Sequence, residues 1–283
     1  MTFPRSSLVA LTVALAGLLP ACQKSEEHPP FAGACEVNCP LLPGISVPIG
    51  QAGSSSMTPG SDAGTGKLEG KVFLADASFS LGSVYKQPAT VTADGANGAP
   101  VTGIWSGTEP FEPFVLDGVA RVTSNWVSVQ PDSGGADDAL LTYQELQTYQ
   151  VTSVSLVLVS AASLDSVFNA VSTLRSPSAG QVIVFFRSAG AGTPLSGLHV
   201  TMARAQAGMY PTATGWKLDD GEAVTNQSGV VVFGNVEPSA AGGTQLVTVT
   251  RAATATTGVS AVGQFPVKVV QGAVSIASLG VQL

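Results

Sequence analysis

The chain changes its pattern of apolar and polar positions several times. Residues 1–21 carry one charge, Arg5, followed by an apolar segment from Leu8 to Leu19, the charged-then-greasy order of a secretory leader. About 12 apolar residues are too few for a membrane-crossing helix, which takes roughly 20. Residues 22–66 show no sustained period, contain Pro29, Pro30, Pro40, Pro43, Pro48 and Pro59, and end in the Gly/Ser-rich run GQAGSSSMTPGSDAGTG. Such a stretch cannot bury enough apolar surface to offset its ordering entropy, so it is expected to be a disordered tether.

From Lys67 short alternating runs begin: GKVFL, PATVTADGANGAPVTGIWSG, FVLDGVARV and NWVSVQP. Alternation places one face of each run against a core, and Asp94-Gly95 and Asn97-Gly98 are hairpin turn signals. Residues 67–150 are therefore expected to form an N-terminal β-domain. Within residues 151–179, Val154, Leu156 and Leu158 continue the strand period, after which Leu164, Val167, Phe168, Val171 and Leu174 follow helical spacing. Ser163 stands as the N-cap of that helix, Asp165 in its first turn, and Pro177 as its stop. Strands resume over residues 180–283 with GQVIVFFR, LSGLHVTM, GVVVF, QLVTVTR, QFPVKVV and AVSIASLGV. The expected fold is all-β: two small Ig-like β-sandwich domains with one short helix between them.

Composition supports that reading, because charged residues make up 11% of the chain where soluble domains usually have about 25%. Ser, Thr, Gly, Val and Ala dominate instead, which suits sandwiches and not a helical bundle. The net charge is −7, and removal of a leader holding Arg5 and no acid makes it −8. A negative surface repels nucleic acid and anionic lipid heads, so no nucleic-acid partner is expected.

Two resemblances carry the functional reading. Leu19-Pro20-Ala21-Cys22 resembles the lipobox of bacterial lipoproteins, with Pro20 departing from the usual residue two places before the cysteine. That resemblance implies cleavage before Cys22 and a lipid anchor on its thiol; ordinary secretion, with Cys22 a leftover, is the alternative. Several acyl chains on one residue hold far more firmly than one. Gln23 follows, in place of the Asp that retains lipoproteins at the inner membrane, so the expected location is the cell envelope at the outer membrane, facing either the periplasm or the outside. Further on, Pro194 and Gly197, then Thr225, Asn226 and Gly229, then Phe233, Asn235, Val236 and Pro238 resemble the carboxypeptidase regulatory-like, or transthyretin-like, β-sandwich family. The match spans about 100 residues, and its closing Pro-Gly turn is replaced by EPSAAGG. That family includes modules with no activity of their own.

Little in the chain points to catalysis. His28 lies in the tether, leaving His199 alone for any Ser–His or metal mechanism, and no nucleophile elbow, HExxH, Walker loop or CxxC occurs. No enzyme activity, cofactor or metal is expected. Cys35 and Cys39, in CEVNC, are an even pair in an exported chain and read as a disulfide; a zinc site would need more ligands than these two and His28 supply. Asp132, Asp137 and Asp138 in one loop, and Asp219, Asp220 and Glu222 in another, lack calcium-loop spacing and read as solvated charge. Trp105 and Trp126 sit in strand-like runs and are expected in the core. Tyr210 and Trp216, with Asp219 and Asp220, fall in the long segment between strands and form the candidate ligand-binding group. The function expected is a non-catalytic binding module for a glycan or envelope partner; the alternative is a structural or accessory spacer subunit without a small ligand.

Overall fold

The computed structural model describes residues 64–122, 124–132, 138–148, 152–189, 191–221, 223–238, 243–251 and 260–281. The leader, Cys22, His28, Cys35, Cys39, Asp137, Glu222 and nearly all of the expected tether lie outside them. The described residues belong to one compact unit. The order is β1 (Thr65–Ala75), β2 (Leu81–Val84), β3 (Ala89–Asp94), β4 (Pro100–Trp105), β5 (Phe114–Ala120), β6 (Asn125–Pro131), β7 (Ala139–Leu140), β8 (Thr142–Leu146) and β9 (Ser153–Ser160). Helix α1 (Ala161–Ala170) comes next, then β10 (Gly180–Ser188), β11 (Leu198–Met202), β12 (Ala207–Thr212), β13 (Gly215–Leu218), β14 (Val230–Val236), β15 (Thr244–Arg251), β16 (Ser260–Lys268) and β17 (Val274–Val281). The fold is mostly β with one short helix, as the alternation of the sequence leads one to expect.

Among the described residues three sheets make the body. The largest has nine strands in the order β13-β12-β14-β10-β17-β8-β6-β3-β4. Its middle is parallel, β10 with β17 and β17 with β8, so the last strand of the chain lies beside a strand of the N-terminal half. A second sheet runs β2-β1-β9-β7 with β5 also on β1, and a third runs β11-β15-β16.

Burial explains which runs alternate and which do not. β10, β14 and β17 are apolar on both faces because both faces are covered. On one face Val182, Val184, Phe186, Val231 and Leu279 pack against Leu198, Val200, Val247 and Val249 of the three-stranded sheet. On the other, Ile183, Phe185, Val232 and Ile276 meet Val157 and Val159 of β9 and Leu164, Val167 and Phe168 of α1. A third core joins Leu68, Val72, Leu116, Leu156 and Leu158 of the second sheet to Val91, Trp105, Val127 and Val129 of the large one. Trp105 is thus a core residue, with its indole N–H donated to the Tyr85 carbonyl at 2.9 Å. Trp126 is only partly buried, at the rim of the first core.

β9 lies over the shared sheet, and β8 side chains satisfy part of its backbone. Gln144 Oε1 accepts the Val157 N–H at 3.1 Å and Thr142 Oγ1 accepts the Val159 N–H at 3.3 Å. Buried N–H groups without partners are costly, which is why two polar residues stand inside an otherwise apolar layer.

The helix departs from expectation at both ends. Its N-cap is Ser160, whose hydroxyl accepts the Ser163 N–H at 3.1 Å; Ser163, expected as the cap, lies inside the first turn. No acidic residue lies in that turn, and Asp165 instead pairs with Arg175 at 2.6 Å. The helix stops before Pro177 through Ser172 at φ 55°, with Ser172 N–H donating to the Asn169 carbonyl and Thr173 N–H to the Phe168 carbonyl. This is the left-handed closure that usually carries glycine. Past it the helical period has no hold, and Leu174 is 84% exposed. The helix can lie close because Gly234 carries no side chain: a Cβ there would collide with the Phe168 ring.

Candidate functional site

The segment expected to be a long loop, residues 203–222, is largely a hairpin. β12 and β13 pair antiparallel from Met209–Leu218 to Thr212–Gly215, and β12 joins the large sheet through β14. The candidate residues are thereby divided among different surroundings.

Tyr210 does not face solvent. It is 1% exposed in the core, donates its hydroxyl to the Val200 carbonyl at 2.6 Å and accepts the Val200 N–H at 3.0 Å. Val200 belongs to β11, an edge strand, so the phenol takes the place of a missing neighbouring strand. Burial pushes the Tyr210 hydroxyl well above its usual value, against the bond from Val200, with the charge of Asp219 adding to the rise. A group so held is a structural clamp and not a contact for a ligand.

Trp216 is half-buried and packs edge-on to Phe79 with ring centroids 5.9 Å apart. It holds the hairpin against the core beneath α1, and Tyr210 lies in a different core. The expected aromatic pair is therefore not a pair.

Asp219 and Asp220 point to different partners. The Asp219 N–H donates to the Gly208 carbonyl at 2.7 Å, Oδ1 accepts the Gly221 N–H at 2.9 Å, and Oδ2 lies 3.6 Å from His199 Nε2. His199, on β11, is thus turned toward the hairpin. Asp220 pairs with Lys217 at 2.7 Å on the surface. Of the other acidic loop, Asp132 is exposed, and Asp138 is exposed with φ 47° and accepts the Ala161 N–H through its carbonyl at 2.9 Å. Among the described residues no group of three or more His, Cys, Asp or Glu could hold a metal ion, and no helix is long and apolar enough to cross a membrane.

The motif residues around β11 and β14 also close strand edges. Thr225 Oγ1 accepts the Leu198 N–H at 3.1 Å and donates to the Leu195 carbonyl at 2.9 Å, while its own N–H donates to the Leu198 carbonyl. Asn226 Oδ1 accepts from the Ser228 N–H and hydroxyl, and Gly229, at φ 66°, brings its backbone so near the Phe186 carbonyl that a Cβ would collide. Asn235, at φ 53°, accepts the Ser176 N–H at 2.7 Å and donates to the Leu174 carbonyl at 2.8 Å and to Gln206 Oε1 at 3.3 Å. Its N–H donates to Gln181 Oε1 at 3.0 Å, so one residue ties the α1 connector to the large sheet.

One titratable group was not legible as such. Glu145 of β8 is 8% exposed, and burial raises its carboxyl above the ordinary value while a 2.6 Å bond donated by Ser124 opposes the rise. On the same face of β8, Tyr143 lies 4.6 Å beneath Lys268 Nζ. The polar residues inside LLTYQEL are the sequence signal for this strand.

No protein family matches the chain, and no curated protein does. Solved structures that align with it include the shaft pilin SpaA from Lactobacillus rhamnosus GG, at 10% identity over 78% of this chain and 99% of that one, TM-score 0.22. The group B streptococcus pilus 2b backbone protein aligns at 10% identity over 70% and 79%, TM-score 0.21. The pilus backbone RrgB from Streptococcus pneumoniae aligns at 8% over 72% and 58%, TM-score 0.19. Superpositions this loose assign neither a family nor a role, and the residues themselves carry the reading.

Proposed function

We propose that the chain is a non-catalytic structural subunit of a bacterial cell envelope, a spacer anchored by lipid on Cys22 and directed to the outer membrane. The observation that supports a spacer over a small-ligand receptor is the use made of Tyr210: the aromatic best placed by sequence to meet a ligand closes the edge of β11 instead. Thr225 and Gln144 are used in the same way, accepting the Leu198 and Val157 N–H groups. A body whose polar side chains are committed to its own strand edges, around one sheet shared by both halves, is suited to bearing load between an anchor and a partner. Glycan binding through the 203–222 segment is the weaker reading, since Tyr210 and Trp216 do not share a surface.

The test is cross-linking of the full-length protein in intact cells, together with retention on polysaccharide columns. Reproducible cross-links to one protein partner, with no retention on glycan, are expected. Glycan retention lost on Trp216→Ala without a change in melting temperature would replace this reading with a binding module. The Cys22→Ser chain should leave the membrane fraction or keep its leader; a variant that stays membrane-bound and processed would contradict the anchor.

A further inference from the structure

The sequence contains one Asn-Gly step, Asn97-Gly98, and the fold puts it at the tip of the β3–β4 hairpin. Gly95 N–H donates to the Ala99 carbonyl at 2.9 Å and Gly98 N–H to the Gly95 carbonyl at 3.0 Å, with Gly98 at φ 79°, so the chain reverses in a tight turn. A turn of this kind needs a residue at positive φ, which accounts for the glycine. Asn97, Gly98 and Ala99 are all exposed.

The Asn97 carboxamide is folded over the peptide that follows it. Its Oδ1 accepts the Ala99 N–H at 3.0 Å, which closes a ring running through Cγ, the Asn97 backbone and the Gly98 nitrogen. The electrophilic carbon and the nucleophilic nitrogen therefore lie on the same side of the turn, and the Ala99 N–H is aimed at the oxygen that gains negative charge when they join. No atom lies within 4 Å of the place a Gly98 Cβ would take, so the nitrogen is unshielded on that side. The bond from Gly98 to Gly95 opposes reaction, because the nitrogen must give up that proton, but hydrogen bonds at an exposed hairpin tip open at little cost.

Other asparagines lack this combination. Asn125 and Asn235 are buried, with both amide atoms bonded. Asn169 is held in α1 before Ala170. Asn226 gives its Oδ1 to the Ser228 N–H and hydroxyl and precedes Gln227, whose side chain crowds the nitrogen.

We propose that Asn97 is a self-modifying site that converts to aspartate and isoaspartate in the folded protein. The Gly98 nitrogen loses its proton and bonds to Asn97 Cγ; the Cγ–Nδ2 bond breaks, and ammonia leaves with a proton. One water then opens the five-membered imide, at Cγ to leave aspartate or at the backbone carbonyl to leave isoaspartate, whose main chain runs through the former side chain. Asparagine and water become an acid and ammonia, with no oxidant and no second protein. Each product adds one negative charge to a turn based on the exposed Asp94. Isoaspartate also lengthens the main chain by one carbon, which the Gly98–Gly95 and Gly95–Ala99 bonds cannot both accommodate, so the hairpin tip loosens.

Storage of the full-length protein at mildly alkaline pH, followed by ion exchange and mass mapping of the stretch between Lys86 and Arg121, tests this. A form with one more negative charge should accumulate, with ammonia released in equal amount, the mass change at Asn97 and part of the product isoaspartate. Asn97→Gln, whose ring would need six atoms, should yield no such form, and Asn97→Asp should co-elute with it from the start. Amide exchange at Gly95 and Gly98 should be faster in the isoaspartate fraction than in the unmodified protein. Absence of conversion at Asn97 in the native protein, whether or not the urea-unfolded chain converts, would overturn the proposal, as would earlier conversion at another asparagine.

Discussion

The Tyr210 hydroxyl and the Val200 backbone exchange two hydrogen bonds, at 2.6 and 3.0 Å, across the gap between two sheets. A phenol is used here as a strand would be, and the consequence is measurable. Tyr210→Phe keeps the ring and leaves a buried N–H and C=O unpaired, which should cost about 1–3 kcal/mol in denaturant unfolding. A variant as stable as the wild type would return Tyr210 to the candidates for ligand contact.

Asn235 combines a left-handed backbone with four hydrogen bonds to three surrounding segments. Asn235→Gly retains the backbone conformation and loses the side-chain bonds, whereas Asn235→Ala loses both. Alanine should therefore be the more damaging by about 1 kcal/mol, the usual gap between the two at positive φ. Equal losses would show that the hydrogen bonds alone matter.

The ends of α1 give two predictions of opposite sign. Ser160→Ala removes the cap on the Ser163 N–H and should destabilise by about 1 kcal/mol. Ser172→Gly relieves a side chain held at φ 55° and should stabilise by about 0.5–1 kcal/mol. Thermal unfolding of the two variants checks both.

Much of this was legible in the sequence, and what was not has a physical reason. Period-two alternation marks β1, β3 and β6, because each has one covered face, whereas β9 is apolar on both faces from Leu156 to Val159 because it lies between two cores. Leu164, Val167 and Phe168 mark the helix, but its cap is Ser160, three residues before the expected Ser163, because Ser160 has the extended backbone a cap requires. The β12–β13 hairpin was hidden because PTATG reads as loop punctuation, whereas Thr212 and Gly215 close a tight turn there. Pairing of β8 with β17 leaves no local trace. For the site, sequence gathered Tyr210, Trp216 and Asp219 into one segment but could not say that alternate residues of a hairpin face different cores.

Glu145 sets a pH dependence. Its pKa is raised in the folded state, so the stability it contributes is complete below the ordinary glutamate value of 4.5 and is lost as pH rises through the raised one. Glu145→Gln, which can still accept from Ser124, should flatten that decline when unfolding is followed from pH 4 upward. An unchanged profile would mean that Glu145 ionises in the fold as it does in water.

The spacer proposed above must transmit force as one body, and the nine-stranded sheet joins strands of both halves. Trp105 lies in the core of the N-terminal half and Trp126 packs against the first core, whose buried residues all come from residues 182–281, so variants retaining one or the other report the two halves separately. Equilibrium unfolding followed by fluorescence of each should give coincident midpoints and slopes. Two separated transitions would show the halves to be independent, and the account of a single load-bearing body would be wrong.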